Sequence, residues 1–426
     1  MAIPEDFLHY LWKFRLFDQK SLHTISGESI QILNVGVHNS HAGPDFQSSL
    51  IKIGNTLWAG NVEIHLRSSD WERHKHQTDE SYDNVILHVV GKHDQEIFRT
   101  DGSNIAVLSL DKLIPRKITD AYLHLLECMD WIPCCRQISK IDSFYIRSWL
   151  YRVEIERLEQ KSESITGLLV EFKGGWDEAF YIYLASNFGF KINAIPFEML
   201  ARSLPQTLLG KYKNRPLQIE SLIFGQAGFL NQKYSDDYPQ LLTKEYNFLK
   251  KKHSLQSVDK YIWKYLRMRP GNFPSCRLAQ FSALVIRSNH LFSKILAGKD
   301  IKSIVDMFHD LPVNSYWNDH YRFDKSTFRA TPRLGEHSIN NILINTVSVF
   351  LMAYGRKTGS AEHIHRSISL LEMLPPETNT LTKRFKEINI IPENAFFSQS
   401  LIQLKKAYCD EKKCLSCGIG TKLLNK

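Results

Sequence analysis

The chain has 426 residues, of which 43% are hydrophobic and 12% aromatic, and this length predicts two or three domains with packed cores. No apolar run reaches the roughly 20 residues that span a bilayer. The start, MAIPEDFLHYLWKF, lacks the basic region and cleavage site of a secretory signal. We therefore expect a cytoplasmic protein without a membrane partner. Seven cysteines in so long a chain argue against a disulfide scaffold.

The charge is unevenly distributed. Residues 1–140 contain 14 Lys and Arg against 18 Asp and Glu, whereas the remainder contains 40 against 27. A basic part attached to an acidic module would hold a polyanion beside a carboxylate metal site, so nucleic acid is the expected partner. A solvated basic surface is the alternative interpretation. The pattern does not predict an oligomeric state.

The first 92 residues predict an α/β module. Helical spacing of apolar residues indicates a helix at the start, followed by the strand-like runs LHTISG and SIQILNVG and the loop HNSHAGPD. SSLIKI and TLWAGNVEIHL predict a hairpin that turns at Gly54-Asn55. A short helical turn capped by Ser68 or Ser69 should precede the buried strand DNVILHVVG.

The character of the sequence changes from Ser143, where an amphipathic pattern predicts a long helix. We place the boundary at WIPCC, with an α/β module at 1–135 and a basic helical domain at 136–426, and we assign the fold class α+β. The further predicted helices lie around 176–188, 196–209, 239–252, 277–296, 300–309, 338–354 and 397–408.

One strand of the hairpin suggests a metal site. Side chains alternate along a strand, so Glu63 and His65 share the face opposite Val62 and Ile64. Asp45 lies just before the partner strand and should come near Glu63. Two carboxylates on adjacent strands suit Mg²⁺ or Mn²⁺. A solvated polar face of an antiparallel hairpin is the alternative interpretation.

Pro44-Asp45, followed by Glu63-Ile64-His65, resembles the core motif of the PD-(D/E)XK nuclease superfamily. The resemblance covers residues 5–92 and implies an α-β-β-β-α-β core with catalytic carboxylates on a hairpin. It implies that Asp45 and Glu63 bind the catalytic cation and that Glu5 matches an extra family carboxylate. His65 replaces the family's lysine, so it would orient or deprotonate water. The replacement also allows an inactive relative that still binds nucleic acid.

Further histidines predict a second kind of chemistry. The run HKHQTDESYD places His74, His76, Asp79 and Asp83 within ten residues, and such side chains are ligands of zinc-type hydrolytic sites. A metal-dependent hydrolase acting on another substrate is therefore an alternative function. The other histidines of the module are His38, His41 and His88.

Three cysteines close to the C-terminus predict a structural metal site. Cys409, Cys414 and Cys417 form a C-x4-C-x2-C array, which suits zinc or an iron–sulfur cluster. A closed tetrahedral site needs a fourth thiolate. Cys134 is the preferred candidate, and Cys135 and Cys276 are the alternatives.

A segment of the helical domain combines basic and aromatic residues. KYIWKYLRMRPGNFPSCRLAQF contains Lys264, Arg267 and Arg269 among aromatic side chains, a combination that holds phosphates and stacks on unpaired bases. Together with Arg67 of the module, these residues are the predicted nucleic-acid contacts. A core aromatic stripe with a solvated basic face is the alternative.

Taken whole, the chain resembles a bacterial family known only as a domain of unknown function. The stretches that carry this resemblance are HAGPDF, GNVEIHLRSSDW, YDNVILHVV, GWDEAFYIYLASNFGFK, RPGNFPSCRLAQF and KKCLSCGIG. The family implies no established activity. A metal-dependent nuclease with a structural cysteine site is thus the function expected from the residues.

Overall fold

The structure is a computed structural model that describes residues 3–39, 41–288, 290–298, 300–328, 330 and 332–425. The chain forms two compact units. The first unit comprises Met1–Trp149 and Gln403–Lys426, and the second comprises Leu150–Ile402. The architecture is α+β, as expected: the sheet of the first unit precedes a mainly helical remainder.

The secondary structure is dominated by helices after residue 115. The strands are β1 (Ile30–Asn34), β2 (Val37–His38), β3 (Phe46–Ile53), β4 (Thr56–Arg67), β5 (Val85–Lys92), β6 (Val107–Ser109), β7 (His320–Arg322) and β8 (Lys325–Ser326). The helices are α1 (Glu5–Phe14), α2 (Asp70–Arg73), α3 (Arg116–Glu127), α4 (Ser143–Glu171), α5 (Trp176–Phe188), α6 (Phe190–Ser203), α7 (Gln206–Gly210), α8 (Pro216–Gln226), α9 (Asp237–Lys252), α10 (Pro274–Arg287), α11 (Leu291–Ala297), α12 (Ile301–Asp306), α13 (Glu336–Ile342), α14 (Ser348–Thr358), α15 (Ala361–Met373), α16 (Thr380–Glu387), α17 (Ala395–Leu404) and α18 (Gly418–Leu424).

The sheet of the first unit is mixed. Its order is β1-β3-β4-β5-β6, and β2 pairs with β3. β1, β3 and β4 are antiparallel, whereas β5 runs parallel to β4 and β6 parallel to β5. The predicted hairpin is confirmed, with Ile53 opposite Thr56 across Gly54-Asn55. The strand expected at LHTISG is absent from the described structure, where only an isolated bridge joins His23 to Ser29.

Both faces of β4 are covered in its second half, from Val62 to His65. Val62 and Ile64 are fully buried on the apolar face, where Leu8 of α1 approaches Gly91 of β5. Glu63 and His65 are also buried, at 4% and 2% exposure. Their face is covered by side chains of α2 and of the two short 3-10 turns at His76–Thr78 and Glu80–Tyr82. The polar face is therefore an interior and not a solvated surface.

The C-terminal segment packs with the first unit. α18 contacts α3, and the Tyr10 hydroxyl of α1 donates a hydrogen bond of 3.1 Å to Asn425 Oδ1. These contacts place Gln403–Lys426 in the unit that begins the chain. This assignment differs from the predicted division at residue 135, because contacts between residues more than 400 positions apart leave no local pattern in the sequence.

The second unit consists of helices and the small β7–β8 hairpin. The long helix expected from Ser143 is confirmed as α4, and α5 has the predicted bounds. The single helix expected at 277–296 is two helices, α10 and α11, because the chain leaves helical geometry at Ser288 and His290. Helices α8, α15 and α16 were not predicted. None of the helices in the described ranges is long and apolar enough to cross a membrane.

Candidate metal centre in the first unit

The β3–β4 hairpin brings Asp45 and Glu63 together. The Asp45 amide donates a hydrogen bond of 3.0 Å to Glu63 Oε2, and Asp45 Oδ2 accepts one of 2.9 Å from the amide of Ile64. A register irregularity between Phe46 and Ser49 interrupts the ladder beside these residues, and such bulges reorient side chains near functional sites. Burial raises the pKa of Glu63, and the charge of Asp45 raises it further.

His65 points to the same side as Glu63. Its Nε2 lies 3.5 Å from Glu63 Oε1, and its Nδ1 lies 2.8 Å from Nε2 of His88. Burial lowers the pKa of His65 to about 3, with a further contribution from His76. Burial likewise holds the pKa of His88 well below its usual range. Both rings are therefore neutral at physiological pH, and each retains a nitrogen lone pair.

Two more histidines follow α2, one beside His65 and one beside Glu63. His74 Nδ1 lies 3.1 Å from His65 Nε2, and His76 Nε2 lies 3.4 Å from Glu63 Oε1. His76 stacks on Tyr82 with ring centroids 3.8 Å apart. The ligand atoms of His65, His74 and His76 all lie within 4.8 Å of one another. Three imidazoles beside a carboxylate are a typical ligand set for a divalent transition metal.

Helix α1 contributes a histidine that the sequence analysis missed. His9 Nε2 lies 3.3 Å from Asp45 Oδ2. Burial lowers the pKa of His9, but the hydrogen bond and charge of Asp45 outweigh it and raise the pKa overall. Glu5, one helical turn earlier, lies within electrostatic reach of His9, Asp45 and Glu63, and burial raises its pKa. The spacing of Glu5 and His9 on one helix face was the available signal.

Two acidic residues of the histidine-rich run stabilise the loop and do not join the centre. Asp79 accepts hydrogen bonds from Ser81, and Asp83 accepts one of 2.8 Å from the Thr100 hydroxyl. Neither belongs to the group of close ligand atoms. The run therefore supplies His74 and His76 to the centre, while its carboxylates stabilise the path of the chain.

The cysteines expected to bind a metal gather in the first unit. Burial raises the pKa of the Cys134 thiol, and Cys417 and Cys414 raise it further. Burial also raises the pKa of Cys409, with Cys134 as the next cause. Among the described residues, however, only the histidine group brings three ligand atoms within 4.8 Å. The four sulfurs are thus neighbours, at a wider spacing than a closed tetrahedral site requires.

The two alternative fourth cysteines have other surroundings. Cys135 donates a hydrogen bond of 3.2 Å to Asp130 Oδ2. Cys276 lies in α10 of the second unit, where its thiol donates to the Tyr321 carbonyl oxygen at 3.6 Å. Cys134 is therefore the cysteine that accompanies the C-terminal array.

The predicted nucleic-acid contacts lie in both units. Lys264, Arg267 and Arg269 are exposed in an irregular segment of the second unit, and Arg67 is exposed in the first. Trp263 is buried and donates to the Ala227 carbonyl oxygen at 2.8 Å. Tyr261, in contrast, is 92% exposed. One aromatic of this segment therefore packs inside, and one faces solvent beside the basic residues.

The sequence matches one family model over most of its length. Residues 5–380 match the model of the family described as "Protein of unknown function (DUF2851)". The chain belongs to this family. The matched region contains every residue of the histidine–carboxylate centre and ends before the three C-terminal cysteines. No match was found among curated proteins or among solved structures.

Proposed function

We propose that this member of the DUF2851 family is a metal-dependent phosphodiesterase that hydrolyses nucleic acid. The observation that carries the proposal is the pair formed by the half-buried Asp45 and the buried Glu63, joined through the Asp45 amide and accompanied by His65. A divalent cation on these carboxylates would polarise the scissile phosphate and lower the pKa of a bound water. Clusters of titratable groups with perturbed pKa values are characteristic of functional sites.

The topology supports the same proposal. Helix α1 is followed by the antiparallel strands β1, β3 and β4, then by α2 and the parallel strand β5. This is the α-β-β-β-α-β order that the resemblance to PD-(D/E)XK nucleases implies, with β2 as an addition. The carboxylates also occupy the hairpin positions that the resemblance implies. The topology supports the assignment of the scaffold alone, because one fold can carry unrelated functions. The proposed substrate therefore depends on the chemistry of the site residues.

The contacts of His65 favour a positioning role. Both of its ring nitrogens already face neighbours, Nδ1 towards His88 and Nε2 towards Glu63 and His74. An imidazole held on both sides orients the groups around it more readily than it accepts a proton from free water. We therefore propose that His65 fixes the carboxylate and the cation, in place of the lysine of the nuclease superfamily.

A second candidate function is hydrolysis of a different substrate. The close group of three histidines favours it, because nitrogen-rich sites are common in metal-dependent hydrolases with varied substrates. The same carboxylates would take part, so the two candidates differ in substrate and not in location.

The proposal is tested with full-length protein and labelled DNA and RNA, single- and double-stranded, in Mg²⁺ and in Mn²⁺. We expect cleavage by the wild type and a loss of at least about 100-fold in Glu63→Gln, because the cation loses a charged ligand. Glu72→Gln, which alters an exposed carboxylate on α2, is the matched control and should cleave normally. Equal activity of Glu63→Gln and wild type would overturn the proposal. Hydrolysis of simple phosphoesters alone would favour the second candidate.

A further inference from the structure

Three histidine ligand atoms converge beside β4, and Glu63 lies next to two of them. Glu63 Oε1 lies 3.5 Å from His65 Nε2 and 3.4 Å from His76 Nε2. His74 Nδ1 lies 3.1 Å from His65 Nε2. In a tetrahedral site with metal–ligand bonds of about 2.0–2.1 Å, neighbouring ligand atoms are about 3.3–3.4 Å apart. The three distances lie on either side of this value. Glu63 is outside the group of ligand atoms within 4.8 Å of one another, which comprises His65, His74 and His76, so closing the tetrahedron requires Glu63 and His74 to move towards each other.

We propose that Glu63, His65, His74 and His76 form a binding site for a zinc-class transition metal ion. Imidazole nitrogens prefer such ions to Mg²⁺, which demands oxygen ligands. Glu63 would offer Oε1 to this ion while Oε2 stays directed at Asp45. Binding of the ion requires no catalysis. The inference therefore rests on the proposed function only where it concerns the role of the ion in catalysis.

Groups around the four ligands already have the orientation that a bound ion needs. If His65 binds through Nε2, its Nδ1 carries the proton and donates to His88 Nε2, 2.8 Å away. Such second contacts fix the tautomer and the ring plane of metal-bound histidines. Trp71 adds an edge-on contact to His76, with ring centroids 5.3 Å apart. His76 therefore has little freedom to turn away from Glu63.

The surroundings of a buried nitrogen give a further reason for a ligand. His76 is 8% exposed, and its buried Nε2 faces Glu63 Oε1 at 3.4 Å without a well-directed hydrogen bond to any residue that the structure describes. Buried polar atoms almost always have a partner, and one without is a sign of a missing ion or water. A chain of hydrogen bonds from His74 through His65 to His88 would explain those three rings, but it gives His76 Nε2 no partner beyond the 3.4 Å contact with Glu63.

The test measures metal binding by the full-length protein after chelation. Zn²⁺ is titrated by calorimetry, and bound metal is counted by mass spectrometry, in wild type, His74→Ala, His76→Ala and the matched control His23→Ala. His23 is exposed in the same unit and outside the centre. We expect each ligand variant to weaken one site by at least 10-fold, and His23→Ala to leave it unchanged. Unchanged binding in both ligand variants would overturn the inference.

The cysteines provide a second place for Zn²⁺, so Co²⁺ is used to tell the sites apart. Co²⁺ bound by nitrogen and oxygen ligands shows visible d–d bands without the near-ultraviolet charge-transfer band that thiolates produce. We expect the wild type to show d–d bands without the thiolate charge-transfer band. His74→Ala should lose these d–d bands even where circular dichroism shows that it is as folded as the wild type. A spectrum with thiolate bands alone would overturn the inference.

Cleavage assays separate this inference from the proposed function. Asp45→Asn should lose cleavage and retain the Co²⁺ bands of the histidine site, because Asp45 is not among its ligands. Metal binding without cleavage by the wild type would uphold the site and overturn the nuclease proposal. Cleavage that persists in His74→Ala without the Co²⁺ bands of the wild type would uphold the nuclease and restrict the histidine ion to a non-catalytic role.

Discussion

The backbone amide of Asp45 donates a 3.0 Å hydrogen bond to Glu63 Oε2, so the two carboxylate residues are joined across the β3–β4 hairpin. The return contact is made by the Asp45 carboxylate, which accepts a hydrogen bond from the Ile64 amide. Each acidic side chain is therefore held by the backbone of the opposite strand. The pair is part of the hairpin's structure as well as of the candidate site.

Because Asp45 has both roles, we expect substitutions to separate the effect of its charge from the effect of its hydrogen bond on stability. Asp45→Ala leaves the buried Ile64 amide without its acceptor and should lower the free energy of unfolding by about 1–3 kcal/mol. Asp45→Asn retains an acceptor oxygen and should cost less than about 1 kcal/mol. Urea unfolding in the presence of a chelator measures both. Equal destabilisation by the two variants would contradict the hydrogen-bond explanation.

A buried glutamate beside an arginine in the second unit predicts a pH dependence of stability. Glu154 and Arg157 of α4 are almost fully buried, with 3.4 Å between Arg157 Nε and Glu154 Oε2. Burial raises the pKa of Glu154 to about 8. The folded state therefore binds a proton more tightly than the unfolded state. The contribution of Glu154 protonation to stability is complete below the ordinary pKa of a glutamate. This contribution is lost as the pH rises through about 8.

We expect Glu154→Gln to remove this dependence. Relative to wild type, the variant should become progressively more stable between about pH 5 and pH 8, as measured by urea midpoints at both values. Glu163→Gln, an exposed position on the same helix, is the matched control and should follow the wild type at every pH. A constant difference between Glu154→Gln and wild type would show that Glu154 does not titrate in this range.

The cysteine group predicts a second metal of structural function. We expect Cys134→Ser and Cys417→Ser to lower the zinc or iron content of purified protein by the same amount, because both would serve one ion or cluster. Binding would also have to draw the sulfurs closer than they lie in the structure. Cys128→Ser is the control, since the Cys128 thiol donates instead to Asp130 at 3.6 Å. Metal content that is unaffected by either ligand variant would exclude the cysteine site.

The exposed basic segment predicts salt-sensitive binding of nucleic acid. Replacing Lys264, Arg267 and Arg269 with alanine should weaken binding across sequences and flatten the dependence of affinity on salt, because fewer counterions are released. The matched control replaces Lys383, Arg384 and Lys386, which are exposed on α16 and remove the same charge. Fluorescence anisotropy at several salt concentrations measures both slopes. An equal loss of affinity in both variants would show that the effect is due to net charge and not to this segment.

Local patterns were sufficient for the elements that carry the carboxylates. Alternation along VEIHL placed Glu63 and His65 on one face, and Gly54-Asn55 predicted the turn that brings Asp45 opposite, because these features depend on neighbours in the chain. The helices α1 and α4 followed from apolar spacing in the same way. The run LHTISG failed because extended backbone becomes a strand only where a partner strand pairs with it.

Only the tertiary structure decided the surroundings of those residues. The parallel pairing of β4 with β5 sets Glu63 opposite His88, and the packing of α1 brings His9 to Asp45. The turns after α2 bury Glu63 and His65 and add His74 and His76. The amino-acid sequence thus determined which side chains share a face, since that follows from backbone periodicity. Long-range packing determined their burial, their pKa values and their partners, because these depend on residues distant in the chain.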